Sequence, residues 1–288
     1  MKEKAKGKRR IFAVVALNVH SGQRKLAGIV RYLNERQPRD EDKWDIDILH
    51  GKDAVTDAAM RRAVREGVSG IIQLNYPSEA IMRLVARSGI PCVVETSDAQ
   101  CAMHNAQCTM RNAECRMQNA ECEEADKRNF VRIVCDAREL AREAAQNLVV
   151  RQSFVSFGYV GTVEGESWSR ERGAFFQEAL AARGRPCAMF QSRRGQLGAW
   201  LASLPRPAAI CAANDQTARA VADVVLAQGL RIPDDIAVLG IDDDPKFCLG
   251  ASPALSSVVQ DFESCGYQAA EALQRMMDGD FTGPSVLR

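Results

Sequence analysis

Short apolar runs alternate with amphipathic segments along most of the chain. Runs of strand length fall at 11–17, 44–49, 70–74, 92–95, 131–134, 154–159, 208–212 and 236–241. Between them, segments with apolar residues at helical spacing cover 23–36, 54–65, 79–87, 137–149, 169–182, 197–204, 216–227 and 262–277. The strand-like runs are nearly all apolar and do not alternate, as expected of parallel strands covered on both faces. Strands alternating with helices of this size predict α/β sheets wrapped by helices. The rhythm restarts after residue 130, which predicts two α/β lobes in preference to one long sheet.

The connections carry matching punctuation. Ser88–Gly89–Ile90–Pro91 stops a helix before a strand, and the 228–235 segment QGLRIPDD does the same later in the chain. Asp136, three residues before Glu139, is placed to cap the helix that follows it. The segment between the fourth and fifth strands is longer than such a connection needs and reads as an insertion at 98–128.

Composition narrows the function classes without choosing one. The chain has 288 residues, with 38 Lys and Arg nearly balanced by 37 Asp and Glu, so no overall basic field points to nucleic acid. Only seven apolar residues, 11–17, follow the basic N-terminal segment, and no small-residue cleavage site comes after them. No apolar stretch approaches the length that crosses a bilayer. We therefore expect a cytoplasmic protein, with no membrane association, whose 10 cysteines are reduced thiols.

The motif inventory argues against catalysis. The chain has no P-loop, no G-x-S-x-G elbow, no H-E-x-x-H and no G-x-G-x-x-G, and it has just 3 histidines. We expect no enzyme, no cofactor and no metal. The strand ends instead carry groups suited to a small hydroxylated molecule: Asn18, His20 and Ser21 after the first strand, Glu95, Thr96 and Ser97 after the fourth, and 166–172 after the sixth. Asn214, Asp215 and Asp242 to Asp244 follow later strands. Carboxylates, amides and an arginine pair with vicinal hydroxyls, and Trp168 could cover the apolar face of a sugar ring. Plainer readings stand beside these: Asp215 as a helix cap, 242–244 as a solvated turn, and Trp168 as core.

The stretch AAICAANDQTARAVADVVLAQGLRIPDDIAVLGIDDDP, followed by PALSSVVQDFESCGYQAAEAL, resembles the effector domain of LacI-type transcriptional regulators. The A-N-D-x-x-A step, the I-P-x-D-I-x-V-x-G-x-D-D strand and the L-S-S-V-x-Q-D segment stand in that family's order over 208–277, with a looser likeness back to residue 11. RRIFAVVALNVHSGQRKLAGIVRYL and ESWSRERGAFFQEAL are most similar to the xylose-responsive, XylR-type group, which joins this domain to an AraC-type DNA-binding domain.

The resemblance implies a type I periplasmic-binding-protein-like fold, two doubly wound parallel lobes joined by three crossovers near 130, 255–258 and 278. Its lobes would be 10–130 with 259–278, and 131–258 with 279–288. It implies a small sugar, a pentose such as xylose foremost, in a cleft between the lobes. It also implies a homodimer that reaches DNA only through a domain missing from this chain, since no helix-turn-helix pattern is evident. Carried over residue by residue, it assigns ligand contacts to Arg172, Asn214, Asp215 and Asp242, with Trp168, Ser21 and Glu95 as further candidates. A periplasmic sugar-binding protein of a transporter is the alternative with the same two lobes.

Within the insertion, Cys101, Cys108, Cys115 and Cys122 recur every seven residues. On a helix they would stand ~10.5 Å apart along the axis, too far for one zinc or for a disulfide. Met103, Met110 and Met117 with Ala106, Ala113 and Ala120 form the apolar seam, while the cysteines from Cys108 onward face away from it. We expect a peripheral helix or loop with passenger cysteines.

Overall fold

A computed structural model describes residues 8–37, 44–49, 57–74, 87–96, 129–150, 154–190, 196–250, 252–282 and 286–287. The expected repeat at 101–122 and most of the expected helix at 79–87 lie outside these residues. The chain forms two units, Met1–Cys135 with Asp261–Arg288, and Asp136–Gln260.

The first unit is built on a parallel sheet in the order β11-β5-β4-β3-β1-β2. Its strands are β1 Arg10–Val14, β2 Asp45–Leu49, β3 Gly70–Gln73, β4 Cys92–Thr96, β5 Phe130–Val134 and β11 Val286–Leu287. One face, with Ile11, Ala13, Ile72 and Val93, packs on α1 (His20–Arg36) and α8 (Phe262–Asp278). The other face, with Phe12, Val14, Ile71 and Val94, packs against Ala63 of α2 (Asp57–Glu66) and Val68. The two apolar faces explain why these strands read as unbroken hydrophobic runs.

Helices α1 and α8 approach backbone to backbone. A Cβ on Gly28 would lie 1.9 Å from the carbonyl oxygen of Glu263, and one on Gly266 would lie 1.9 Å from that of Lys25. Only glycine permits this crossing. Asp261 starts α8, its Oδ1 accepting from the Ser264 N–H at 2.9 Å.

The second unit holds a parallel sheet ordered β10-β9-β8-β6-β7. Its strands are β6 Ser156–Val160, β7 Cys187–Phe190, β8 Ala208–Ala212, β9 Ile236–Ile241 and β10 Ser256–Val258. Helices α3 (Ala137–Val150), α4 (Ser167–Ala181), α5 (Leu197–Ser203), α6 (Asp215–Ala227) and the short α7 (Pro245–Cys248) complete it. The expected Asp136 cap is present, accepting from the Glu139 N–H at 2.9 Å.

The fold class agrees with the expectation: α/β, with two all-parallel sheets. The boundaries differ in three places. Residues 131–134 belong to the first unit, because β5 pairs along its length with β4. Residues 286–287 also join that unit, because β11 pairs with β5. The 256–258 segment is a strand on β9, not a crossover, and the chain passes between units at 135–136 and at 260–261. No third passage near 278 occurs in this division: α8 and β11 both stay in the first unit.

Candidate functional site

In the second unit, the carboxyl ends of β6, β8, β9 and β10 converge on one arginine. Such strand ends are where open parallel sheets bind ligands. Arg172 lies on α4, which starts after β6, and is 5% exposed. Its Nη1 donates to the carbonyl oxygen of Ala213 at 2.6 Å and to Asp242 Oδ1 at 3.3 Å. Its Nη2 donates to Gln260 Oε1 at 2.5 Å. Trp168, one helical turn earlier, places its ring 4.9 Å from the guanidinium carbon. The i, i+4 spacing puts both side chains on one helix face, and the stacked indole helps fix the plane of the guanidinium.

The loop after β9 presents Asp242 in an unusual backbone state. Asp242 (φ 115°) and Asp243 (φ 53°) are the non-glycine residues with positive φ among the described residues. Such conformations cost on the order of 1–3 kcal/mol each and persist only where the surroundings impose them. Here the Asp242 N–H donates to the carbonyl of Val258 at 2.9 Å, and the Asp243 N–H donates to Ser257 Oγ at 3.0 Å.

Asp215 closes this frame from beneath. Its Oδ1 accepts from Ser257 Oγ and its Oδ2 from the Asp244 N–H, each at 2.7 Å. Gly240 makes room for it: a Cβ there would sit 2.0 Å from Asp215 Oδ1. Burial pushes the Asp215 pKa up, against the hydrogen bonds from Ser257 and Asp244. Burial likewise raises the neighbouring Cys248 thiol to about 12, so it stays neutral.

The sequence candidates therefore separate. Arg172, Asp242 and Trp168 meet in one cluster. Asn214 adjoins it through Ala213, but its Oδ1 caps α6 by accepting from the Thr217 N–H at 2.9 Å, which leaves its amide N–H groups to donate. Asp215 supports the loop, because both of its oxygens are occupied. Gln260 joins this cluster but was not among the sequence candidates, although it stands within the LSSVVQD motif already singled out.

The first-unit candidates have different surroundings. Glu95 is 1% exposed and accepts from Lys25 Nζ through both carboxylate oxygens at 2.6 Å. The Lys25 ammonium also lies 5.3 Å from the centre of the Phe262 ring. Burial disfavours the charge on Lys25, but Glu95, with lesser contributions from Cys265 and Cys135, outweighs this, and the pKa is raised. Ser21 is half-buried in the first turn of α1. Among the described residues no group of three or more His, Cys, Asp or Glu could hold a metal ion.

Comparisons with known proteins agree with this architecture. Residues 145–287 match the family model of the periplasmic binding protein-like domain. The lac repressor dimer bound to operator and an anti-inducer superposes with a TM-score of 0.71 at 18% identity, over 98% of this chain and 91% of that one. The fold is thus that of periplasmic-binding-protein-like regulators, and residues 145–287 match that domain's model. A second solved structure with this fold, described as the xylose-binding transcription activator XylR, gives a TM-score of 0.71 at 21% identity, over 99% of this chain and 67% of that chain. Among curated proteins, the xylose operon regulatory protein of Escherichia coli K12 is 30% identical over 134 residues. That match covers 42% of this chain and 34% of the regulator, so this chain aligns with about a third of the relative's length. These relatives are named as regulators, not enzymes.

Proposed function

We propose that the chain is the sugar-sensing effector part of a transcriptional regulator. A small sugar, a pentose foremost, is gripped by Arg172, Asp242 and Asn214, with Trp168 against its apolar face. The observation that carries this reading is the buried Arg172, held by Ala213, Asp242 and Gln260 beside an indole at the strand ends. A guanidinium and a carboxylate fixed side by side offer a donor pair and an acceptor pair, matching vicinal hydroxyls.

The named relatives support a pentose, since both the curated protein and one solved neighbour carry xylose in their descriptions. The homodimer, the cytoplasmic setting and the control of transcription all belong to this same reading. They rest on the resemblance. The ligand acts by favouring one conformation, and the shift it produces is no larger than its preference for that form.

Isothermal titration calorimetry against D-xylose, L-arabinose, D-ribose, hexoses and uronic acids tests the proposal. One member of the panel should bind, and Arg172→Ala and Asp242→Ala should each weaken it by at least about tenfold, ~1.4 kcal/mol. Unchanged affinity in the Arg172→Ala, Asp242→Ala double variant refutes the site.

A further inference from the structure

The turn after β9 is tied down at three successive backbone N–H groups. That of Asp242 donates to the Val258 carbonyl at 2.9 Å, that of Asp243 to Ser257 Oγ at 3.0 Å, and that of Asp244 to Asp215 Oδ2 at 2.7 Å. The Ser257 hydroxyl bears on two of these ties. It accepts from Asp243 directly, and it donates its proton to Asp215 Oδ1 at 2.7 Å, which anchors the carboxylate that holds Asp244. The Val258 carbonyl, 3.4 Å from Ser257 Oγ, is the more distant acceptor for that proton. Strand pairing explains the placement: β10 runs parallel to β9 with Ser257 opposite Gly240, the residue whose missing side chain admits Asp215.

The ties matter because this turn would not keep its form unaided. Asp242 and Asp243 have φ of 115° and 53°, where a residue with a side chain is strained. The turn presents the Asp242 carboxylate to Arg172 at 3.3 Å, the long end of hydrogen-bonding distance. A small relaxation toward negative φ therefore separates the two groups. Losing the Ser257 hydroxyl would leave the Asp243 N–H without its acceptor and Asp215 Oδ1 without its donor in one step.

We propose that Ser257 is a positioning residue of the candidate site, its hydroxyl fixing the 242–244 turn and so the place of the Asp242 carboxylate beside Arg172. With its proton given to Asp215 and its oxygen accepting from Asp243, it acts on a ligand through Asp242 and not by contact. This deepens the sugar-sensing reading and rests on it.

The test compares Ser257→Ala, Ser257→Cys and Ser257→Thr in the full chain, beside Arg172→Ala and Asp242→Ala. Ligand-free melting temperature and calorimetric titration with D-xylose, L-arabinose and D-ribose are measured on each. Ala removes the hydroxyl, Cys keeps the volume with a much weaker donor and acceptor, and Thr keeps the hydroxyl. Ala and Cys should each weaken sugar binding about tenfold, and Thr should stay within about threefold of the wild type. On the Asp242→Ala background, titrated with sugar in large excess, adding Ser257→Ala should change affinity by less than about twofold, because the residue it acts through is gone. Wild-type affinity in Ser257→Ala, with binding lost in Arg172→Ala, overturns the positioning role and leaves the sensor reading standing. A further loss of about tenfold on the Asp242→Ala background also overturns it, because Ser257 then touches the sugar itself. So does a folded Ser257→Thr that binds as weakly as Ser257→Ala. If the wild type binds no sugar of the panel, both readings fall.

Discussion

Replacing Glu95 by Gln separates a residue that builds the fold from one that touches ligand. Lys25 and Glu95 meet at 2.6 Å through both oxygens, with side chains 5% and 2% exposed. At that separation, and an effective dielectric constant of ~20, the Coulomb attraction is about 6 kcal/mol before the cost of desolvating two ions. Much of it cancels in the intact pair. Removing one partner strands a buried ammonium, so Glu95→Gln should cost about 3–5 kcal/mol, while Lys25→Met with Glu95→Leu should recover most of that loss.

Urea unfolding followed by tryptophan fluorescence measures this for the first unit alone if Trp168 and Trp200 are first changed to Phe, which leaves Trp44 as the reporter. The pH dependence has a definite sign. The folded-state pKa of Lys25 is raised from its ordinary 10.5, so the pair's contribution is complete below 10.5 and fades as pH rises through the folded value. The gap between the wild type and Glu95→Gln should be flat around neutrality and shrink in strong alkali. A Glu95→Gln loss below about 1 kcal/mol, or a double variant no more stable than the single one, refutes the reasoning. A double variant that is folded but blind to sugar would instead put Glu95 in the ligand site.

The other predictions address the frame of each unit. Gly266→Ala should destabilise the first unit by about 3 kcal/mol or more, because the new methyl meets the Lys25 carbonyl and α1 must move; thermal melting shows it. Asp215→Asn replaces an oxygen that accepts from Ser257 or Asp244 with an N–H donor, so stability should fall by about 1–3 kcal/mol in urea unfolding. Its sugar affinity should fall too, through a loosened Asp242 loop. Deleting 101–122 should leave both units folded by circular dichroism and melting. The four residues before and seven after the deletion span up to ~36 Å, against a β4 strand ~17 Å long.

The sequence was most informative where burial on both sides left no choice of residue. Strands 208–212 and 236–241 were read to the residue, since each is wholly apolar and buried along its length. Edge elements were less legible. Half-buried Cys187–Phe190 is short and lacks a clear pattern, and Ser256–Val258 looks like a linker until β9 supplies its hydrogen bonds. At the candidate site, Arg172 and Trp168 were singled out from one stretch and Asp242 from another, and the fold brings the three together. The role of Asp215 depended on Ser257 and Asp244, 42 and 29 residues away, and that of Glu95 on Lys25, 70 residues away. Pairings at such separations leave no trace in local pattern.

The crossing of α1 with α8 also sets an order of events at the ribosome. The second unit, 136–260, is continuous and has been synthesised in full before the first residue of α8 is added. The first unit has made five of its six strands by then, yet the sheet face carrying Ile72 and Val93 still lacks Leu273 and Ala269, and Gly28 still lacks its neighbour. A chain ended before Asp261 and released from the ribosome would therefore resist protease across 136–260 while 8–135 stayed open to cleavage or to a chaperone.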